Sequence, residues 1–148
     1  MLRRLDVRKP EQMWLETTFE STDAERVPSA YYVPASLGSV VERLRAHGIR
    51  LERLEQPATL PLEEFHLATN QVAAQAFEKH QERSVTGHYE PIERSMPAGT
   101  YRIPMQQPLA RLAFYLLEPH SSDGLLTWNV LDQALRGSNV YPIVRSRD

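Results

Sequence analysis

Ser36-Leu-Gly-Ser-Val-Val-Glu-Arg-Leu-Arg-Ala-His-Gly-Ile-Arg-Leu-Glu-Arg-Leu54 reads as a helix that turns at once into a strand. Leu37, Val40, Val41 and Leu44 recur at helical spacing and form one apolar stripe. Ser36, just after Pro34-Ala35, is the expected N-cap, because its hydroxyl can accept from an amide of the first turn. His47-Gly48 closes the element, since a glycine at the C′ position takes the left-handed conformation that a Cβ disfavours. A helix is therefore expected over about 36–47. Ile49 and Leu51 then alternate with Arg50 and Glu52, which predicts a strand over 49–54.

Working outward, Leu109, Leu112, Ala113 and Leu116 repeat at the same spacing, and Pro108 suits the first helical position. This predicts a second main helix over about 108–117, stopped by Glu118-Pro119. Strands are expected over Gln12–Phe19, Ala30–Val33, Tyr101–Met105 and Val140–Arg145. The prolines of Gln56–Pro61 read as a break. Leu62–Phe77 reads as extended, with a turn near Asn70, although its alanine-rich end also suits a helix. Glu82–Glu93, with Gly87 and Pro91, reads as an edge or hairpin strand. Met96-Pro-Ala-Gly99 is a turn, and Trp128–Leu135 a short helix closed by Gly137. Short strands, hairpin-like links and no βαβ rhythm predict an α+β fold with a mainly antiparallel sheet and two main helices.

The chain has 148 residues and no cysteine. That length suits a single domain over 1–148, with 1–10 as a loose N-terminal arm. Thiol catalysis, cysteine-based zinc sites and iron–sulfur clusters are excluded. Only Lys9 and Lys79 of the 17 basic residues are lysines, and 19 acidic residues outnumber them. A nucleic-acid partner would call for a basic excess on one face, so none is expected. No apolar run approaches the ~18 residues that span a bilayer, and no apolar export signal follows Met1. A signal for any exported parent would lie upstream, and the compartment is open.

The five histidines, His47, His66, His80, His88 and His120, offer no His-x-x-Glu or His-Glu-x-x-His spacing. His120-Ser-Ser-Asp123 reads as a turn-rich loop. His88 with Glu90, and His80 with Glu82, can share a strand face, but two donors do not close a metal site. The serine-nucleophile elbow, the phosphate loop and the dinucleotide glycine pattern are absent. Trp14, Tyr31, Tyr32, Tyr101, Tyr115 and Trp128 are candidates for a binding face, with core as the default. A stand-alone carbohydrate- or peptide-binding module is thus one alternative, and a small hydrolase using His88 or His120 a weaker one.

Ala98-Gly-Thr-Tyr-Arg-Ile-Pro-Met-Gln-Gln-Pro-Leu-Ala-Arg-Leu-Ala-Phe-Tyr-Leu-Leu-Glu-Pro119, followed by Ser122-Asp-Gly-Leu-Leu-Thr-Trp-Asn129, resembles a known region. It is similar to the segment downstream of the catalytic domain in bacterial zinc carboxypeptidases of the carboxypeptidase A-like family. Ala30-Tyr-Tyr-Val-Pro-Ala35, His47-Gly-Ile49 and Tyr141-Pro-Ile-Val-Arg145 fit the same region, so the resemblance covers roughly 30–145. That family's chemistry uses a His-x-x-Glu pair and a distant His on zinc, a Glu general base and an Arg for the substrate carboxylate. The zinc pair has no counterpart here, so no catalytic or metal-binding residue carries over, and neither Arg102 nor Arg111 is assigned as the clamp. The resemblance implies a non-catalytic accessory domain. Zinc is expected in the parent peptidase domain and no cofactor in this chain. Its partner would be that catalytic domain, in cis or in trans. Gln106, Gln107, Asp123, Trp128 and Asn129 are the candidate contact surface, on loops held by a rigid frame.

Overall fold

The computed structural model describes residues 10, 12–15, 17, 18 and 24–147. Its elements run β1 (Ala30–Val33), α1 (Gly38–Ala46), β2 (Glu52–Arg53), β3 (Ala58–Val72), β4 (Arg83–Met96), β5 (Tyr101–Pro104), α2 (Ala110–Leu117) and β6 (Val144–Ser146). The strands form one sheet in the order β2-β5-β1-β6-β3-β4, every pairing antiparallel. This is the expected α+β architecture.

Alternation sorts the strand residues onto two faces. Tyr31, Val33, Phe65 and Ile103 point to the face covered by the helices, where they join Val40, Leu44, Leu116 and Leu117 in the main core. Ala30, Tyr32, Leu62, Met96 and Val144 form a smaller buried cluster that belongs to the opposite face. In α1, Val40, Val41 and Leu44 are the buried stripe, and Gly48 leaves the helix at φ 77°.

Several expectations need correction. α1 begins at Gly38 with Leu37 in the capping position, and no side chain caps it, so Ser36 is not the N-cap. α2 likewise begins at Ala110 after Leu109, two residues beyond Pro108. The strand after Gly48 shrinks to Glu52–Arg53, although Ile49 is buried in the core. The predicted break at Gln56–Pro61 is mostly strand: β3 starts at Ala58, continues through Pro61 and extends to Val72, past Asn70. Pairing with β4 holds it along that length, and Pro91 falls on β4, an edge strand with no further neighbour. The terminal strand is Val144–Ser146, with Val140 making only an isolated bridge to His66.

Trp128–Leu135 is a series of turns rather than a helix. Asn129 sits at φ 64°, which interrupts any right-handed helix begun at Gly124. Of the strand expected over 12–19, residues 12–15, 17 and 18 are not strand, while Glu16 and Phe19 lie outside the described residues. The proposed N-terminal arm lies outside them too, apart from Pro10.

Candidate functional site

Two arrangements around α2 concentrate polar chemistry. The first is buried between the C-terminal end of α2 and the sheet. Glu118, just past the last turn, is 3% exposed. One of its carboxylate oxygens accepts from the Tyr31 hydroxyl and lies 3.3 Å from Arg145 Nη1; the other accepts from Tyr89 at 3.0 Å. Arg145 Nε donates to Glu63 at 2.8 Å and its Nη1 to Glu25 at 2.8 Å. The guanidinium also stacks 3.4 Å from the centre of the Tyr89 ring. The strand register produces this cluster, because Arg145 pairs with both Tyr31 and Glu63 across β6, and paired residues share a face.

Burial raises the Glu118 carboxyl above its ordinary range, and its bonds to Tyr31, Arg145 and Tyr89 only partly offset this. Burial also raises Tyr31 and Tyr89, reinforced by the Glu118 charge. Glu63 moves the other way: burial alone would raise it, but hydrogen bonds from Arg145 and Arg26 hold it below the ordinary carboxylate range. A cavity of about 290 Å³ opens beside Glu118, lined also by Glu25, Phe114, Tyr115 and His120. Both Glu118 oxygens are already engaged, so the acid serves the fold before it can serve a ligand.

The second arrangement lies on the outer side of α2. A depression of about 490 Å³ is lined by Arg43, His47, His80, Asp123 and Trp128 over a floor that includes Leu112 and Tyr115. The Trp128 indole N–H donates to Asp123, and His80 meets the Trp128 ring edge-on at 5.5 Å. Asn129 donates to the Gln81 carbonyl at 2.8 Å, tying this loop to the end of the long hairpin.

Of the five predicted contact residues, the structure therefore brings Asp123 and Trp128 together at the depression. Asn129 lies beside them in sequence but acts as a loop clasp. Gln106 and Gln107 line neither cavity. Gln107 is a structural bracket: it accepts from Arg50 N at 2.8 Å and donates to the carbonyls of Arg50 and Pro104. Gln106 offers its carbonyl to the Arg50 guanidinium at 3.0 Å. Sequence reasoning missed Arg43, His47 and Leu112, and only their one-sided spacing on two helices could have pointed to them. Glu118 and Arg145 were named only as a helix end and a strand end.

The remaining histidines have modest surroundings. His66 and His88 pair across β3 and β4 with rings 6.3 Å apart, and Glu90 reaches His88 at 2.9 Å. Thus His88 and Glu90 do share a strand face. His120 packs edge-on against Phe65 at 4.8 Å. Among the described residues, no group of three or more His, Asp and Glu side chains is placed to hold a metal ion. No described helix is long and apolar enough to cross a membrane. The aromatics do not form a row on one sheet face: Trp14 is fully exposed off the sheet, Tyr31 and Tyr32 are buried, and Tyr101 lies under Arg45.

No family model matches the chain, and no solved structure matches it significantly. Curated relatives do. The chain is 32% identical over 123 residues to a protein named carboxypeptidase 2 from Trichophyton tonsurans, covering 80% of this chain and 22% of that protein. Proteins of the same name from Trichophyton equinum and Trichophyton rubrum match over the same shares at 32% and 31% identity. The chain spans about a fifth of the length of these relatives. They tie it to a carboxypeptidase-associated region, and they are fungal, whereas the sequence resemblance was to bacterial proteins.

Proposed function

We propose that this chain is a non-catalytic region of a zinc carboxypeptidase, packing against the peptidase domain in cis or in trans and stabilising or shaping it. The observation that carries this reading is the asymmetry of the matches: 80% of this chain corresponds to only 22% of a carboxypeptidase 2. Most of each relative is then left for the catalytic part, where zinc would reside. The chemistry of the chain supports a passive role, because Glu118, the most buried acid among the described residues, is saturated by Tyr31, Tyr89 and Arg145.

The test is deletion of the matching segment from Trichophyton rubrum carboxypeptidase 2. The expected result is a peptidase with a lower melting temperature or lower expression yield, and restored stability when the segment is supplied separately. A deleted enzyme with unchanged yield, melting temperature and substrate profile would overturn the proposal.

A further inference from the structure

Helix α2 carries two apolar stripes. Ala113, Leu116 and Leu117 form the inner one and are buried. Leu109 in the capping position, Leu112 and Tyr115, each three residues apart, form the outer one, so the single stripe expected of Leu109, Leu112, Ala113 and Leu116 is divided; Leu109 is 36% exposed, Tyr115 43% exposed, and Leu112 half-buried against the main core. The 490 Å³ depression and a shallower one of about 410 Å³, lined by Pro108, Leu109 and Arg111, share Leu112 and Tyr115. Together they make a groove along the outer side of the helix.

The charge around the groove is predominantly basic. Arg43 and Arg111 are exposed and form no ion pair among the described residues, and His47 and His80 stand at the same rim. Asp123 is the acidic residue in the lining; the Trp128 indole N–H donates to it and orients it but leaves its negative charge in place. A chain with net charge -2 thus presents two guanidinium groups without an ion pair among the described residues, against the one carboxylate of Asp123, beside an apolar strip. Guanidinium groups recognise carboxylates in a planar, two-pronged geometry, and an exposed apolar strip with a polar rim suits a docked peptide.

We propose that this groove docks an acidic peptide segment bearing an apolar anchor, contributed by the peptidase part of the polypeptide. The anchor would sit on Leu112 and Tyr115, and flanking carboxylates would meet Arg43 and Arg111. The source of the segment rests on the function proposed above; the chemistry of the groove does not.

The probe is a fluorescein-labelled peptide, Asp-Glu-Leu-Phe-Glu-Asp, titrated with the full 148-residue chain and followed by anisotropy. An isomer with lysines in place of the acids is the control. The acidic peptide should bind and the lysine isomer should not. The double variant Arg43→Glu/Arg111→Glu should weaken binding by at least about tenfold, and Tyr115→Ser by roughly fivefold. Circular dichroism and the urea midpoint check that the variants are folded. Equal binding by wild type and the double variant, or no binding by wild type, would overturn the proposal. A wild-type dimer in sedimentation that the double variant abolishes would also overturn it, by naming a second copy as the occupant. If the acidic peptide binds as expected while deletion leaves the carboxypeptidase unaffected, the groove chemistry stands and the parentage falls. If deletion destabilises the enzyme but the peptide fails, the reverse holds.

Discussion

The inner and outer sides of α2 treat charge in opposite ways. On the inner side, the Arg145 side chain is 5% exposed and bonded to Glu25, Glu63 and Glu118, and it stacks on Tyr89. On the outer side, Arg43 and Arg111 stand exposed beside Leu112 and Tyr115 with no ion pair among the described residues, although Asp123 lines the same depression as Arg43. A buried charge must be neutralised where it stands, because its desolvation is costly. An exposed charge is solvated by water and stays available for a partner. The contrast separates residues that hold the fold from residues that can make contacts.

The sharpest way to break this contrast is Arg145→Ala. It leaves Glu118 buried without a cation among the described residues, while Glu63 keeps Arg26, and should cost about 3–5 kcal/mol in urea denaturation. A loss below about 1 kcal/mol would mean that the inner network does not hold the fold. Next in size is Leu117→Ala, which empties a fully buried position in the main core and should cost about 2–5 kcal/mol by the same measurement.

The acid limb of stability sharpens the comparison further. Glu63 has a folded value below its ordinary 4.5, so its contribution is present above that pH and is lost as pH falls through the folded value. Glu118 is shifted up, so its contribution runs the other way, present at low pH and lost as pH rises through its folded value. Glu63→Gln should therefore flatten the loss of stability below about pH 4.5. An acid limb as steep as that of wild type would remove Glu63 from the network. The smallest effect belongs to the outer side: Tyr115, 43% exposed and bonded through its hydroxyl to Ser122 at 3.1 Å, should lose no more than about 1.5 kcal/mol on Tyr115→Ser. A larger loss would make Tyr115 part of the core rather than of a contact face.

Much of the frame was legible in the residues because its signals are local. The Val40, Val41 and Leu44 stripe and the left-handed Gly48 fix α1 within a few residues, and the four-residue strand Ala30–Val33 stands between turn signals. The long hairpin was harder. Pro61 reads as a break in isolation, yet the 15-residue strand β3 tolerates it because pairing between distant residues holds the ladder together, whereas Pro91 marks the edge strand that β4 proves to be. The turn series after Gly124 failed as a helix at one backbone angle, that of Asn129. The candidate site was legible only in part. Asp123 and Trp128 were within reach as loop neighbours, whereas Glu118, Tyr31, Tyr89 and Arg145 meet from four separate parts of the chain. No short-range pattern encodes that meeting.

The most direct test is whether the chain can hydrolyse peptides by itself. The 148-residue protein is incubated with zinc and with hippuryl-phenylalanine and hippuryl-arginine, and release of the terminal amino acid is followed. A supporting region predicts no release above the zinc-only blank. Steady turnover that a chelator abolishes would contradict it.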